Sequence, residues 1–362
     1  MSGRGARDYG SGMRPLILAL ALVTAPLSAT ADTGRLTEML RMIPDAAIPS
    51  GAPRLDIAYG NGDAVRNIAR NGNQAWPADD WAHEYAAMRA APPAQATALA
   101  AGDGEVMSLG YRDWVHVLEV SAPPARMGLN SLFPDSEMRL RGALFGRGME
   151  VATRNQTMVL WQGREDHARV AERADPENPF GGAEGLSARF VVDPEWAYWA
   201  SGWQQLEWML AGGSPTLADR GGVAQLVSGV ERAMPRYGQL VSFRASLDLS
   251  GQGLDDWADL PVRGVFVADA VQRREETGLI GFLFAPGTDT EAVAQRVRER
   301  WRGSMLARWS EEPDLVGIAG RLPGLVLRIG GDWGPDEAAS NDALASLMRA
   351  RQNGTLTALI AP

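Results

Sequence analysis

Imidazoles are the scarcest reactive groups in this chain. His83, His116 and His167 stand far apart, and none sits in an H-E-x-x-H or H-x-H spacing. Two have a carboxylate beside them, His83-Glu84 and Asp166-His167, a pairing that could orient a general base. Without a second histidine at helical spacing, all three read as surface or loop residues. The chain has no cysteine. That removes disulfides, thiol nucleophiles, iron–sulfur ligation and cysteine-based zinc sites. It has no lysine either, every cation being arginine, so no phosphate-loop lysine, Schiff base or Ser-Lys pair exists. No G-x-S-x-G occurs. Ser214, in Gly212-Gly213-Ser214-Pro215-Thr216, reads as the approach to a helix rather than as a nucleophile's elbow. Asp248, Ser250, Gln252, Gly253, Asp255 and Asp259 fall at the spacings of a calcium loop. The flanking segments read as strands, and Asp255 and Asp259 stand where an apolar residue and a glutamate are usual. A polar hairpin connection is therefore the expectation.

Aromatic residues supply the densest cluster. The chain has 12 tryptophans, and Trp196, Tyr198, Trp199, Trp203 and Trp208 fall in one short stretch. Stacked rings can hold sugars or peptides by covering apolar faces. These five are the expected ligand-binding residues, although Trp199, Trp203, Leu206 and Leu210 would share one face of a helix and so also suit a core. Glu195, Glu207 and Glu231 flank the stretch, and a pair of carboxyls at the right separation could hydrolyse a glycoside. The turn Gly60-Asn61-Gly62 before a helix is a fragment of an anion-binding fingerprint, without the rest of it. The sequence thus assigns no catalytic residue, no metal ligand and no cofactor.

The elements that would position these groups alternate between helical and strand periods. Helices are expected over Thr33–Met42, Ala64–Arg70, Trp81–Arg89, Trp203–Leu210, Val223–Met234, Thr290–Trp301 and Asn341–Arg351. Strands are expected over Arg54–Tyr59, Met138–Phe145, Thr157–Trp161, Leu240–Leu249, Val262–Ala268, Leu279–Ala285 and Leu325–Ile329, and Trp114–Val120 is an apolar run. Ala188–Val192 and Ala197–Ser201 read as a hairpin. The pattern predicts an α+β fold, with antiparallel sheets and helices on one face. The two ends share an order, a helix stopped by Pro44 or Pro235 followed by strands, which points to two related halves. The expected divisions are 1–31, a signal peptide whose first 12 residues precede a second start at Met13; 32–175; a connecting region, 176–235; and 236–362.

The leader reading rests on Arg14, an apolar run over residues 15–23 and Ala29-Thr30-Ala31 before Asp32. The run falls short of the roughly 20 residues that span a bilayer, so export without a membrane span is expected. The segment Asn178-Pro179-Phe180-Gly181-Gly182 with Ala188-Arg189, and Ser214-Pro215-Thr216-Leu217-Ala218-Asp219 before a helix, resemble those of uncharacterised exported bacterial envelope proteins. The resemblance covers the middle third and implies an envelope protein without transferring any catalytic residue. The net charge is −9, and the first 31 residues carry Arg4, Arg7 and Arg14 against Asp8, so the remainder is more acidic still. That balance argues against nucleic acid and against a polybasic hold on anionic lipid. Two functional expectations follow. One is a periplasmic or secreted binding or scaffolding protein whose partner is an envelope component or another protein. The other is a secreted carboxylate-dependent hydrolase with a tryptophan-lined cleft.

Overall fold

The strands in the C-terminal third are apolar at almost every position, as in Val262-Arg263-Gly264-Val265-Phe266-Val267-Ala268 and Gly278-Leu279-Ile280-Gly281-Phe282-Leu283-Phe284. A strand of that kind needs cover on both faces. The computed structural model describes residues 33–64, 89–92, 96, 105–106, 109–110, 114–254, 257, 260–272, 275–332 and 341–362. The expected leader and His83 lie outside them, as do most of the helices expected over 64–70 and 81–89. In chain order the described elements are α1 (Gly34–Arg41), β1 (Arg54–Asn61), β2 (Glu105–Val106), β3 (Leu109–Gly110), β4 (Trp114–Ala122), β5 (Ala125–Leu132), α2 (Ser136–Gly146), β6 (Glu150–Arg154), β7 (Thr157–Gln162), β8 (Ala188–Val192) and β9 (Trp196–Ala200). They continue with α3 (Trp203–Ala211), α4 (Gly221–Ala233), β10 (Gln239–Asp248), β11 (Val262–Gln272), β12 (Glu275–Phe284), α5 (Thr290–Trp301), β13 (Asp314–Ile318), β14 (Gly324–Asp332), α6 (Asp342–Gln352) and α7 (Thr355–Ile360).

The fold is α+β. Apart from the small β2–β3 pair, the strands form one 12-stranded sheet in the order β13-β14-β12-β11-β10-β1-β4-β5-β9-β8-β7-β6. All of its pairings are antiparallel. The sequence order helix, three strands, helix, hairpin occurs twice, as α1-β1-β4-β5-α2-β6-β7 and as α4-β10-β11-β12-α5-β13-β14. The two runs meet where β1 pairs with β10, and β8 and β9 take the places between β7 and β5.

Helices cover both faces of the sheet, where the sequence led us to expect one. On the first face, Leu55, Ile57, Leu118, Val120, Met127, Leu129, Phe243 and Phe266 pack under α1, α3 and α4. Each of these helices brings apolar residues at i, i+3 and i+4, such as Leu36, Met39 and Leu40 of α1 and Val223, Leu226, Val227 and Val230 of α4. On the second face two separate clusters form. Val265, Val267, Ile280, Phe282, Leu325 and Leu327 lie under α5, α6 and α7. Leu132, Leu160, Phe190, Val192 and Trp199 lie under Leu140 and Leu144 of α2. The alternation of Leu140 and Leu144 with arginines predicted a strand there. Leu140 and Leu144 instead sit one helical turn apart and supply the buried stripe, while Met138 and Phe145 point outward. Among the described residues no helix is long and apolar enough to cross a membrane.

Candidate functional site

Pairing register, rather than any motif, assembles the candidate site. One row of neighbours crosses the second face of the sheet: Phe190, Trp199, Gly128, Glu119, Ala58, Arg244, Val267 and Ile280, each opposite the next on the adjoining strand. The row beside it runs Arg126, Ser121, Asp56, Ser246, Val265 and Phe282. The first row is apolar at both ends, under α2 and α6, and the second at its Val265–Phe282 end; the stretch between is polar. Between the two helical covers a groove of about 300 Å³ is left over β4, β1 and β10. That volume is at the low end for small-molecule sites, about 300–1,000 Å³. Asp56, Glu119, Ser121, Arg126, Arg244 and Ser246 form its floor; Trp199 stands on one side, and Val265, Val267, Met348 and Arg351 on the other.

Two glycines shape the groove. At Gly128 a Cβ would strike the Trp199 indole nitrogen, so the missing side chain lets the indole lie across β5 towards Glu119. At Gly60 a Cβ would collide with the Ala90 carbonyl oxygen. The segment 89–92 therefore rests directly on β1, where the Ala91 carbonyl accepts from Arg244. Arg89 fixes that segment: its Nε and Nη2 donate to Asp269 at 2.5 and 2.8 Å. Both side chains are buried. Burial pulls the Arg89 pKa down, but the charge and hydrogen bonds of Asp269 more than offset it. Asn341, the N-cap of α6, donates to the same Asp269 carboxylate at 2.6 Å, and the Ala343 N–H donates to Glu276 at 3.1 Å. One buried cluster thus fastens both the segment 89–92 and the helix that carries Met348 and Arg351.

Glu119 is the floor's unusual group. Its carboxyl has no hydrogen bond or ion pair among the described residues. It keeps part of its surface open to the groove, while protein surrounds it on every other side. Burial pushes its pKa up to about 7, against the opposing pull of Arg126 and Arg244. Asp56, diagonal to it on β1, is fully engaged instead, accepting from Ser246 Oγ at 2.6 Å and Arg54 Nε at 2.8 Å. Arg126 donates to Glu184 at 2.9 Å. Arg244 makes one long contact of 3.4 Å, to the Ala91 carbonyl, and its side chain is otherwise open. The Trp199 indole N–H is buried and has no acceptor among the described residues. The groove therefore presents donors without matching acceptors.

The five aromatics expected to bind a ligand do not form one cleft. Strand alternation puts Trp196 and Tyr198 on the first face and Trp199 on the second. The shared helical face drawn through Trp199 does not exist, because the chain is extended up to residue 200 and turns helical only at Trp203. Trp203 and Trp208 pack on the first face. The Trp203 ring has the Arg154 guanidinium 4.7 Å from its centroid and that of Arg189 5.3 Å away, so cations already occupy its surface. It borders a smaller cavity of about 170 Å³ with Arg154, Asn155 and Glu207. Glu195 lies in the β8–β9 turn, Glu207 on α3 and Glu231 on α4, where it accepts from Thr33 Oγ1 at 2.5 Å. None of these three lines the groove.

The remaining candidates resolve into structural roles. His116 is buried under Tyr59, whose hydroxyl lies 3.0 Å from Nδ1. His167 Nδ1 lies 2.6 Å from Ser201 Oγ, but Ser201 is wholly buried and also accepts from the Arg126 N–H, so no substrate carbonyl could reach it. Burial lowers the His167 pKa, Arg189 acting in the same direction and Asp166 against it. Ser214 is exposed ahead of a turn closed by Thr216 and Asp219. In the calcium-like loop, Asp248 accepts from the N–H groups of Ser250, Gly251 and Gly253, from Ser250 Oγ and from Arg263. Those bonds fill its lone pairs and give the expected hairpin connection; Asp255 and Asp259 lie outside the described residues. Among the described residues no cluster of histidines and carboxylates is arranged to hold a metal. Asn61 Oδ1 caps the turn after β1 by accepting from the Ala64 N–H at 3.0 Å.

No family model matches the chain, and no curated protein sequence matches it significantly. Two solved structures that it resembles are crystal forms III and IV of TP0453. Both are 10% identical to it, with TM-scores of 0.38 and 0.39; they cover 84% and 83% of this chain and 97% and 96% of those chains.

Proposed function

We propose that this is an exported, non-catalytic binding protein of the cell envelope, and that the groove over β4, β1 and β10 is its ligand seat. One observation carries the reading. A well-formed groove has a carboxyl and an indole N–H on its walls, neither with a partner among the described residues, and a guanidinium held by a single long hydrogen bond. Buried polar groups are normally paired, so groups left unpaired around a cavity mark what a ligand would satisfy. The leader at residues 1–31 supplies the export half of the reading. The test is native mass spectrometry of the protein isolated from an envelope fraction. A ligand bound to the parent chain and lost from an Ala58→Trp variant, which fills the floor, supports the seat. A ligand-free parent chain that also takes up nothing from an envelope extract defeats it.

A hydrolase is the second reading, and one observation favours it. Asp56 and Glu119 are diagonal neighbours on adjacent strands, which places such residues roughly 7–8 Å apart. Side chains from residues so spaced can bring two carboxyls to the separation glycosidases use. Turnover of nitrophenyl glycosides that is abolished in both Asp56→Asn and Glu119→Gln would establish this reading. Equal background rates in all three proteins would end it.

A further inference from the structure

We infer that the groove takes an organic anion, its carboxylate or phosphate head held by Arg244 beside Glu119, and its apolar body laid against Val265, Val267 and Met348. The inference rests on the groove being the ligand seat and adds the chemistry of what sits there. Three arginines, Arg126, Arg244 and Arg351, line the groove against two carboxyls, Asp56 and Glu119. Asp56, held by Ser246 and Arg54, has no donor to offer an anion. Arg126 is largely consumed by Glu184. Arg244 has the freest cation of the three, on the seam strand β10, one strand beyond Ala58 from Glu119. Because Ala58 ends at Cβ, the space between Glu119 and Arg244 stays open above the floor.

Donors dominate what remains. The Trp199 N–H can only donate, and so can Arg244. An anion beside Glu119 accepts charge-assisted bonds from Arg244. A cationic head would satisfy Glu119 alone while facing Arg126 and Arg244. Glu119 fits the anion when it carries its proton, since the carboxyl then becomes a further donor. The charged groups that share the groove with it are Asp56 from β1, Arg126 from β5, Arg244 from β10 and Arg351 from α6. Anion binding therefore draws a proton onto Glu119, and affinity falls as pH rises through the region of about 7 where that carboxyl titrates. Val265, Val267 and Met348 give the body of the molecule an apolar surface, with Arg351 beside them.

Isothermal titration calorimetry on the purified protein tests this with chain-matched probes: dodecanoate, dodecyl phosphate, dodecanol and dodecyltrimethylammonium, all below their micelle concentrations. Acetate and inorganic phosphate test the head alone. Both dodecyl anions should bind at least about tenfold tighter than dodecanol, since one charge-assisted hydrogen bond changes affinity about ten- to a hundredfold. They should also bind far tighter than acetate or phosphate. Arg244→Gln should erase the preference over dodecanol, with Arg244→Lys restoring part of it. Glu119→Gln should keep anion binding and flatten its pH dependence. If dodecanol or the ammonium binds as tightly as the anions, the head-group inference is overturned and the ligand seat survives. If no chain-bearing probe binds, or if Ala58→Trp leaves binding unchanged, the seat itself is refuted.

Discussion

Asp269→Asn should be among the most damaging single-atom changes available to this protein. The carboxylate is fully buried and is the counter-charge for Arg89, whose side chain is only 4% exposed. Replacing one oxygen by an amide removes the charge and turns an acceptor into a donor that faces either Arg89 or Asn341, both already donors. Breaking a buried pair from one side costs about 3–5 kcal/mol, because the surviving charge is left without compensation. Against a typical total of about 5–15 kcal/mol, that is a large fraction. At about 2 °C per kcal/mol for a chain this long, Tm should drop by about 6–10 °C. Thermal unfolding followed by circular dichroism measures the shift. Hydrogen exchange should show the first turn of α6 losing protection, since Asn341 caps that helix and is tied to Asp269. The double variant Arg89→Met/Asp269→Leu should recover more than half of the loss, because an apolar replacement of a whole buried pair is often neutral. A drop of less than about 2 °C for Asp269→Asn, or a double variant as unstable as the single one, would refute the account of this cluster.

Glu276, 4% exposed beside the same cluster, has its pKa raised from 4.5 to about 6, by burial first, against the Ala343 N–H and Arg89. The folded state therefore holds that proton more tightly than the unfolded chain. The destabilisation is absent below the ordinary carboxyl range and grows as pH rises through about 6, reaching about 2 kcal/mol. Glu276→Gln should remove that slope in urea titrations run across the interval, and an unchanged slope would exclude Glu276 as its source. Gly128→Ala should cost about 1–3 kcal/mol, since its Cβ has only the Trp199 indole and the Leu118 carbonyl to displace; a neutral result in chemical denaturation would mean the indole does not lie across β5. Calcium should leave Tm the same as chelator does, because the oxygens of Asp248 are already committed to its own turn and to Arg263. A calcium-dependent rise would reopen the loop as a metal site.

Periodicity made much of the scaffold legible. The buried stripe of α4 and the hairpin β8–β9 stand at or within two residues of where spacing put them, because in both the apolar period matches the element. The strand expected over Met138–Phe145, which is α2, fails for an identifiable reason. Leu140 and Leu144 are compatible with a strand and with a helix, and the intervening arginines tipped the reading towards alternation. Trp199 misled in the opposite way, since its spacing to Trp203 matches a helical turn while the residue sits in a strand. The groove was not legible at all. Asp56, Glu119 and Arg244 are remote in sequence and share no motif. They become neighbours only through the β1–β4 and β1–β10 registers, and a shift of one residue in either would send them to opposite faces. The single available hint was polarity: Glu119 and Arg244 interrupt strands that are otherwise mostly apolar.

Ala58 and Arg244 sit on opposite sides of the ladder where the two helix–strand runs are stitched together. Whatever each run contributes on its own, the polar floor exists only at their join, and it exists once. A fragment that ends before β10 would retain Glu119 and Trp199 but lose the arginine across from them; a fragment that starts after β1 would keep all three but lose the strand between them. Recognition here belongs to the union, so excising either part should silence it even where the excised piece still folds.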